Sequence, residues 1–174
     1  QLMDIEGKYY TNQVSSFQAD QPLDYIPAVD EDRLSRDNIY FPEKHENAYG
    51  AWAWKCTVVD KQSKGGKLQG KTFALKDNVA LKGVPMLLGT NFIKGYVPDC
   101  DATVATRILE AGGTITGKAV CENMCHSATS HSSGTGVVEN PIAKGYSSGG
   151  SSSGSGVLVA LGECDGAVGA DQGG

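Results

Sequence analysis

The sequence predicts an α/β fold, and three observations carry that prediction. Thr72, Phe73, Ala74 and Leu75 read as a short strand, and Thr114, Ile115 and Thr116 open another that runs towards Val120. Between them Val104, Ala105, Ile108 and Leu109 recur on one side of a helix, with Asp101 placed to cap it and Gly112-Gly113 to end it. Strand, helix and strand in that order make a βαβ unit. Further on, residues 156–161 are apolar all round, which predicts a buried helix closed by Gly162. Residues 166–170 are all small or Val, as in a tight strand with close backbone packing.

The remaining elements follow along the chain. Residues 1–48 are polar and weakly patterned, and residues 29–36 fit a helical turn or two. The expected division is an N-terminal helical or irregular arm at 1–48 and a main unit at 49–174. Residues 51–58 alternate as a strand or extended edge does, with Trp52 and Trp54 as packing residues. Residues 60–70 form a charged turn, and residues 79–95 carry the Gly and Pro punctuation of a loop. Residues 122–146 lack periodicity and hold His126 and His131; a loop of that length is commonly functional.

Composition narrows the function classes. At 174 residues the chain is one domain or part of one. The net charge is −5, and Lys61, Lys64, Lys67 and Lys71 are glycine-interleaved surface residues, so no nucleic-acid partner is expected. No apolar run reaches membrane-spanning length and no signal-peptide pattern opens the sequence, so no membrane partner is expected. The first methionine is Met3, so residues are expected before Gln1. Five cysteines without a disulfide framework point to a reducing, cytoplasmic setting. Cys121, Cys125 and His126 have metal-ligand chemistry but not zinc-knuckle spacing, and no second ligand pair follows.

The glycine- and serine-rich tract from Gly145 to Gly156 carries the functional signal. A flexible linker has this composition, but a linker does not run into an apolar helix. Gly150-x-Ser152-x-Gly154 fits the pattern of a nucleophile elbow, yet the polar residues 144–148 replace the strand an elbow needs. Gly112 to Lys118 resembles a phosphate-binding loop, but Ala119 replaces the hydroxyl residue and the order is helix then strand. A backbone-lined site against a buried helix, with Lys76 upstream, fits a serine-based hydrolase.

Leu75-Lys76-Asp77-Asn78, Gly149-Gly150-Ser151-Ser152 and Asp171-Gln172-Gly173-Gly174 resemble, in order, three signature blocks of the amidase signature family. Asp101-Ala102-Thr103-Val104, Gly117-Lys118 and Asn140-Pro141 are similar to intervening pieces. Lys76 precedes Ser151 by 75 residues, the separation of the family's catalytic lysine and bridging serine. The family's nucleophilic serine then falls at the position after Gly174. The resemblance covers residues 49–174, and Asp-Gln-Gly-Gly is most like the broad-specificity amidases. One departure is Ser153, where the family usually has glycine, which raises the question of the loop's φ angles there.

The resemblance implies a partial domain with a mixed β-sheet core flanked by helices and an N-terminal helical arm. It implies a Ser-Ser-Lys triad that hydrolyses a carboxamide to a carboxylate and ammonia through an acyl-enzyme. Serine needs a base to take its proton, and a lysine serves only when neutral, a state that burial favours. Lys76 ends an apolar strand and is placed for such burial. Ser151 would relay the proton and, in the family, sits on a cis peptide bond. Gln172, Gly173 and Gly174 would present backbone N–H groups to the oxyanion. Ser152 and Asp171 would support the loop, and Asn123 and Met124 would line the substrate site. No histidine is needed, so His45, His126 and His131 are structural or substrate-lining. No metal or organic cofactor is implied. The expected partners are a small-molecule amide, the remainder of the same enzyme chain and, as one open assembly, a second copy in a homodimer. These residues alone would be inactive. Two other readings stand beside this one: a glutamine-dependent amidotransferase component, against which Gln172 argues because threonine is usual there, and a catalytically silent binding protein.

Overall fold

The computed structural model describes residues 32–171. Five strands form one mixed sheet in the order β1-β2-β4-β3-β5. They are β1 (Leu34–Tyr40), β2 (Trp52–Asp60), β3 (Thr72–Lys76), β4 (Thr114–Ala119) and β5 (Gly166–Val168). Two helices accompany them, α1 (Thr103–Glu110) and α2 (Ser153–Ala160). β1 pairs with β2, and β2 with β4, antiparallel. β3 runs parallel to both β4 and β5. The β3–α1–β4 segment is the βαβ unit the sequence predicts.

Each face of the sheet packs one helix. Leu75, Ile115 and Val58 meet Ala105, Ile108 and Leu109 of α1, with Leu81 and Val84 from the following loop. Ala74, Ala119 and Trp52 meet Val157 and Leu158 of α2. The sheet alternates its side chains between these two clusters, as pleating requires. Burying a Leu, Ile or Val side chain contributes about 1.5–3 kcal/mol, so these clusters hold the layers together.

Four expectations change. Residues 34–36 are not helical; they start β1, and residues 1–31, which include most of the expected arm, lie outside the described residues. β1 escapes a pattern reading because its sequence, LSRDNIY, is polar and mostly exposed, as edge strands often are. β2 is an interior strand, covered by β1 on one side and β4 on the other. Asp101 does not cap α1: Ala102 holds that position with no side-chain bond. The Asp101 carboxylate instead accepts from Arg36 and from the Lys82 N–H, tying β1 to the loop after β3. Finally, α2 is buried on one face only, since Gly156, Val159 and Ala160 are exposed.

Gly112, at φ 89°, does end α1: its N–H donates to Leu109 and that of Gly113 to Ile108. Gly162, at φ 72°, closes α2 in the same way, with Gly162 and Glu163 bonding to Val159 and Leu158.

Candidate active site

β3 brings its last residue, Lys76, into the interior on the face that α2 covers. The side chain is fully buried. Its Nζ lies 2.7 Å from Ser151 Oγ and donates to the Ala170 carbonyl at 2.7 Å. Residues 75 positions apart thus meet in one contact, because α2 starts just after Ser151 and returns the chain beneath β3.

Three segments fix Ser151. The Gly150–Ser151 peptide bond is cis, as the resemblance implied. The Ser151 carbonyl accepts from the Glu122 N–H at 3.1 Å. Next along, Ser152 Oγ donates to the Ala170 carbonyl and accepts from the Ala170 N–H, both at 3.1 Å. Ala170 therefore binds Lys76 and Ser152 together, and the strand-end segment after β5 becomes a wall of the site. Ser155 Oγ adds a bond to the Val168 carbonyl at 3.0 Å. Ser153 begins the helix without a positive φ, so serine meets no backbone strain where the family usually has glycine.

Asp77 turns away from Lys76. Its carboxylate accepts from the amides of Leu87 and Leu88 and faces Lys118 Nζ at 3.3 Å. Both side chains are buried. Burial pushes the Asp77 carboxyl up and the Lys118 amine down, and their mutual attraction only partly offsets this. The pair fixes the 87–88 loop, whose Leu88 carbonyl accepts from the Met124 N–H.

Glu122 is buried after β4. Its Oε2 accepts from the N–H and Oγ of Ser132, and its Oε1 is buried without a hydrogen-bond partner. It links the residue 129–133 loop to the Ser151 segment. The sequence did not single out Glu122 or the Asp77–Lys118 pair; the only signal was a charged residue inside or beside a strand that otherwise turns inward.

The other expected residues are less gathered. Asn123 and Met124 are exposed on a short 3-10 turn, Asn123–Cys125. Asp171 is exposed at the last described position. Gln172, Gly173 and Gly174 lie outside the described residues. His45 and His126 are exposed, and His131 is bonded to the Thr129 carbonyl. A cavity of about 430 Å³, lined by Thr129, His131, Val137, Asn140, Lys144 and Tyr146 among others, lies in the loops before the cis bond. Among the described residues no group of three or more His, Cys, Asp or Glu is placed to hold a metal, and no helix is long and apolar enough to cross a membrane.

The site thus joins a buried lysine at a strand end to a serine of a glycine-serine loop, on a mixed sheet. The family model described as Amidase matches residues 46–174, and the chain belongs to that family. It is 50% identical over 124 residues to the enantioselective amidase of Rhodococcus rhodochrous, covering 70% of this chain and 24% of that protein. It is 44% identical over 120 residues to a glutamyl-tRNA(Gln) amidotransferase subunit of Haloarcula marismortui, covering 67% and 28%. The chain thus spans about a quarter of the length of these relatives. Among solved structures it resembles the glutamyl-tRNA(Gln) amidotransferase subunit of Thermotoga maritima, with TM-score 0.58 and 31% identity, covering 62% of this chain and 24% of that one. It also resembles the peptide amidase of Stenotrophomonas maltophilia, with TM-score 0.55 and 32% identity, covering 59% and 22%.

Proposed function

We propose that this chain carries the lysine and bridging serine of a Ser-Ser-Lys amidohydrolase that converts a carboxamide to a carboxylate and ammonia. The 2.7 Å approach of buried Lys76 Nζ to Ser151 Oγ is the observation that carries the reading. In this reading a serine following Gly174 attacks the amide carbon. Ser151 takes that serine's proton and passes its own to a neutral Lys76. The proton returns along the same path to the departing ammonia. An acyl-enzyme remains, and water attacks it with the relay repeated. Gln172, Gly173 and Gly174 present N–H groups to the tetrahedral oxyanion, each worth roughly 3–4 kcal/mol in a comparable hydrolase. Ser152 holds Ala170 against Lys76, and Asp171 helps hold the loop. Asn123 and Met124 border the acyl side of the site. The reaction would take place in the cytoplasm.

The test is a panel of aliphatic and aromatic carboxamides offered to the intact protein, with ammonia release and acyl transfer to hydroxylamine as readouts. Hydroxamate formation supports the acyl-enzyme; ammonia release without any trapped acyl group counts against it. A second reading, one component of a glutamine-dependent amidotransferase, is favoured by the 44% identity to the Haloarcula marismortui protein. It predicts ammonia release from glutamine and stable association with further subunits. Gln172, in a position that usually holds threonine in those amidotransferases, favours the first reading.

A further inference from the structure

Behind Ser151 lies a pair of thiols with no part in the relay. Cys121 is buried at the end of β4, and Cys125 is half-buried at the end of the short turn that follows. Their sulfurs are 3.7 Å apart and share a hydrogen bond. The turn folds them together: the Cys125 N–H donates to the Glu122 carbonyl at 2.8 Å, with Met124 and Cys125 both at positive φ. We propose that Cys121 and Cys125 form a redox-active dithiol that closes to a disulfide under peroxide and thereby shuts off the adjoining site.

The two thiols are chemically unequal. The hydrogen bond with Cys121 holds the Cys125 thiol down at about 7, against the opposing effect of burial. The same hydrogen bond and burial push Cys121 up. Cys125 is therefore the thiolate that meets oxidant, and Cys121 the resolving thiol. In the first step the Cys125 sulfur attacks a peroxide oxygen, the O–O bond breaks, and sulfenic acid and hydroxide form. In the second the Cys121 sulfur attacks the sulfenyl sulfur, the S–S bond forms, and water leaves with the Cys121 proton. Two thiols lose two electrons, and one peroxide becomes two waters.

Closure has a structural consequence because of what lies between the cysteines. The sulfurs must approach by roughly 1.7 Å from 3.7 Å to reach the ~2.0 Å of an S–S bond. Glu122 directly follows Cys121, and its N–H holds the Ser151 carbonyl. Drawing the turn inward moves this anchor. The disulfide itself is independent of the hydrolase reading; only its effect on turnover rests on that reading.

The experiment treats the intact protein with hydrogen peroxide, then maps non-reduced peptides and measures carboxamide turnover. The expected result is a Cys121–Cys125 linked peptide lighter by two hydrogens. Turnover should fall by ~10²-fold, the scale for a displacement of about 1 Å at a reacting group, and dithiothreitol should restore it. Cys125→Ser should keep its turnover before and after peroxide. No linked peptide overturns the dithiol. A linked peptide with undiminished turnover, or a Cys125→Ser variant inactivated as fast as the parent, overturns the switch. A protein without turnover before peroxide counts against the hydrolase reading instead, and the peptide map still decides the disulfide.

Discussion

Lys76 and Asp77 are neighbours in the chain and leave opposite faces of the sheet. Lys76 reaches Ser151 and Ala170 on the α2 side. Asp77 reaches Lys118 and the Leu87 and Leu88 amides on the other. The end of one strand therefore supplies both the amine that meets Ser151 and the clamp on the loop beneath it.

Removing the clamp should cost stability more than chemistry. Asp77→Ala leaves Lys118 buried and unpaired, and breaking such a pair costs about 3–5 kcal/mol. Replacing both residues at once, as Asp77→Leu with Lys118→Met, should recover part of that loss. Urea denaturation of the intact protein measures both. A loss under about 1 kcal/mol for the single variant would contradict the buried pairing.

Two glycines of α2 should respond in opposite ways. A Cβ at Gly154 would lie 2.4 Å from the Ala51 carbonyl oxygen and 2.6 Å from the Val120 nitrogen, all backbone neighbours that cannot rotate away. Gly154→Ala should therefore destabilise by about 1–3 kcal/mol or more. Gly156 faces open space, so Gly156→Ala should stabilise the helix by roughly 0.5–1 kcal/mol. Melting temperatures moving in the same direction for both would contradict the packing of α2 on the β2 and β4 ends.

Asp165 sets a pH-dependent fastening of β5. Its carboxylate accepts from Lys71 Nζ and from the N–H and Oγ1 of Thr72, at the point where β5 joins β3. These bonds, led by that from Lys71, lower its pKa from 3.8 to about 2. The folded carboxyl is the stronger acid, so this contribution is present above pH 3.8 and is lost as pH falls towards about 2. Asp165→Asn should flatten the stability profile across that window in denaturation curves at stepped pH. An unchanged profile would remove Asp165 from the acid response.

The meeting of Lys76 with Ser151 was easier to read in the sequence than the groups that support it. Lys76 and Ser151 stood out because one ends an apolar strand and the other sits in a glycine-serine tract that no linker explains. The βαβ unit was visible because Ala105, Ile108 and Leu109 repeat at helical spacing and Gly112-Gly113 stops the helix. β1 was not, because an edge strand carrying Arg36, Asp37 and Asn38 has no apolar alternation. Asp101 looked like a cap because its place in the chain allows one, whereas its partner Arg36 is 65 residues away. Glu122 and Lys118 escaped for the same reason: burial of a charge is decided by distant segments, and a local pattern does not record it.

The proposed reaction makes Lys76 the base, acting through Ser151. Lys76→Met in the intact protein keeps the buried volume and removes the amine, so it tests the chemistry apart from packing. The expected result is an unchanged melting curve with carboxamide turnover down by ~10²–10⁴-fold, the range for loss of a positioned acid–base group. Turnover near that of the parent would show that Lys76 takes no part in the reaction.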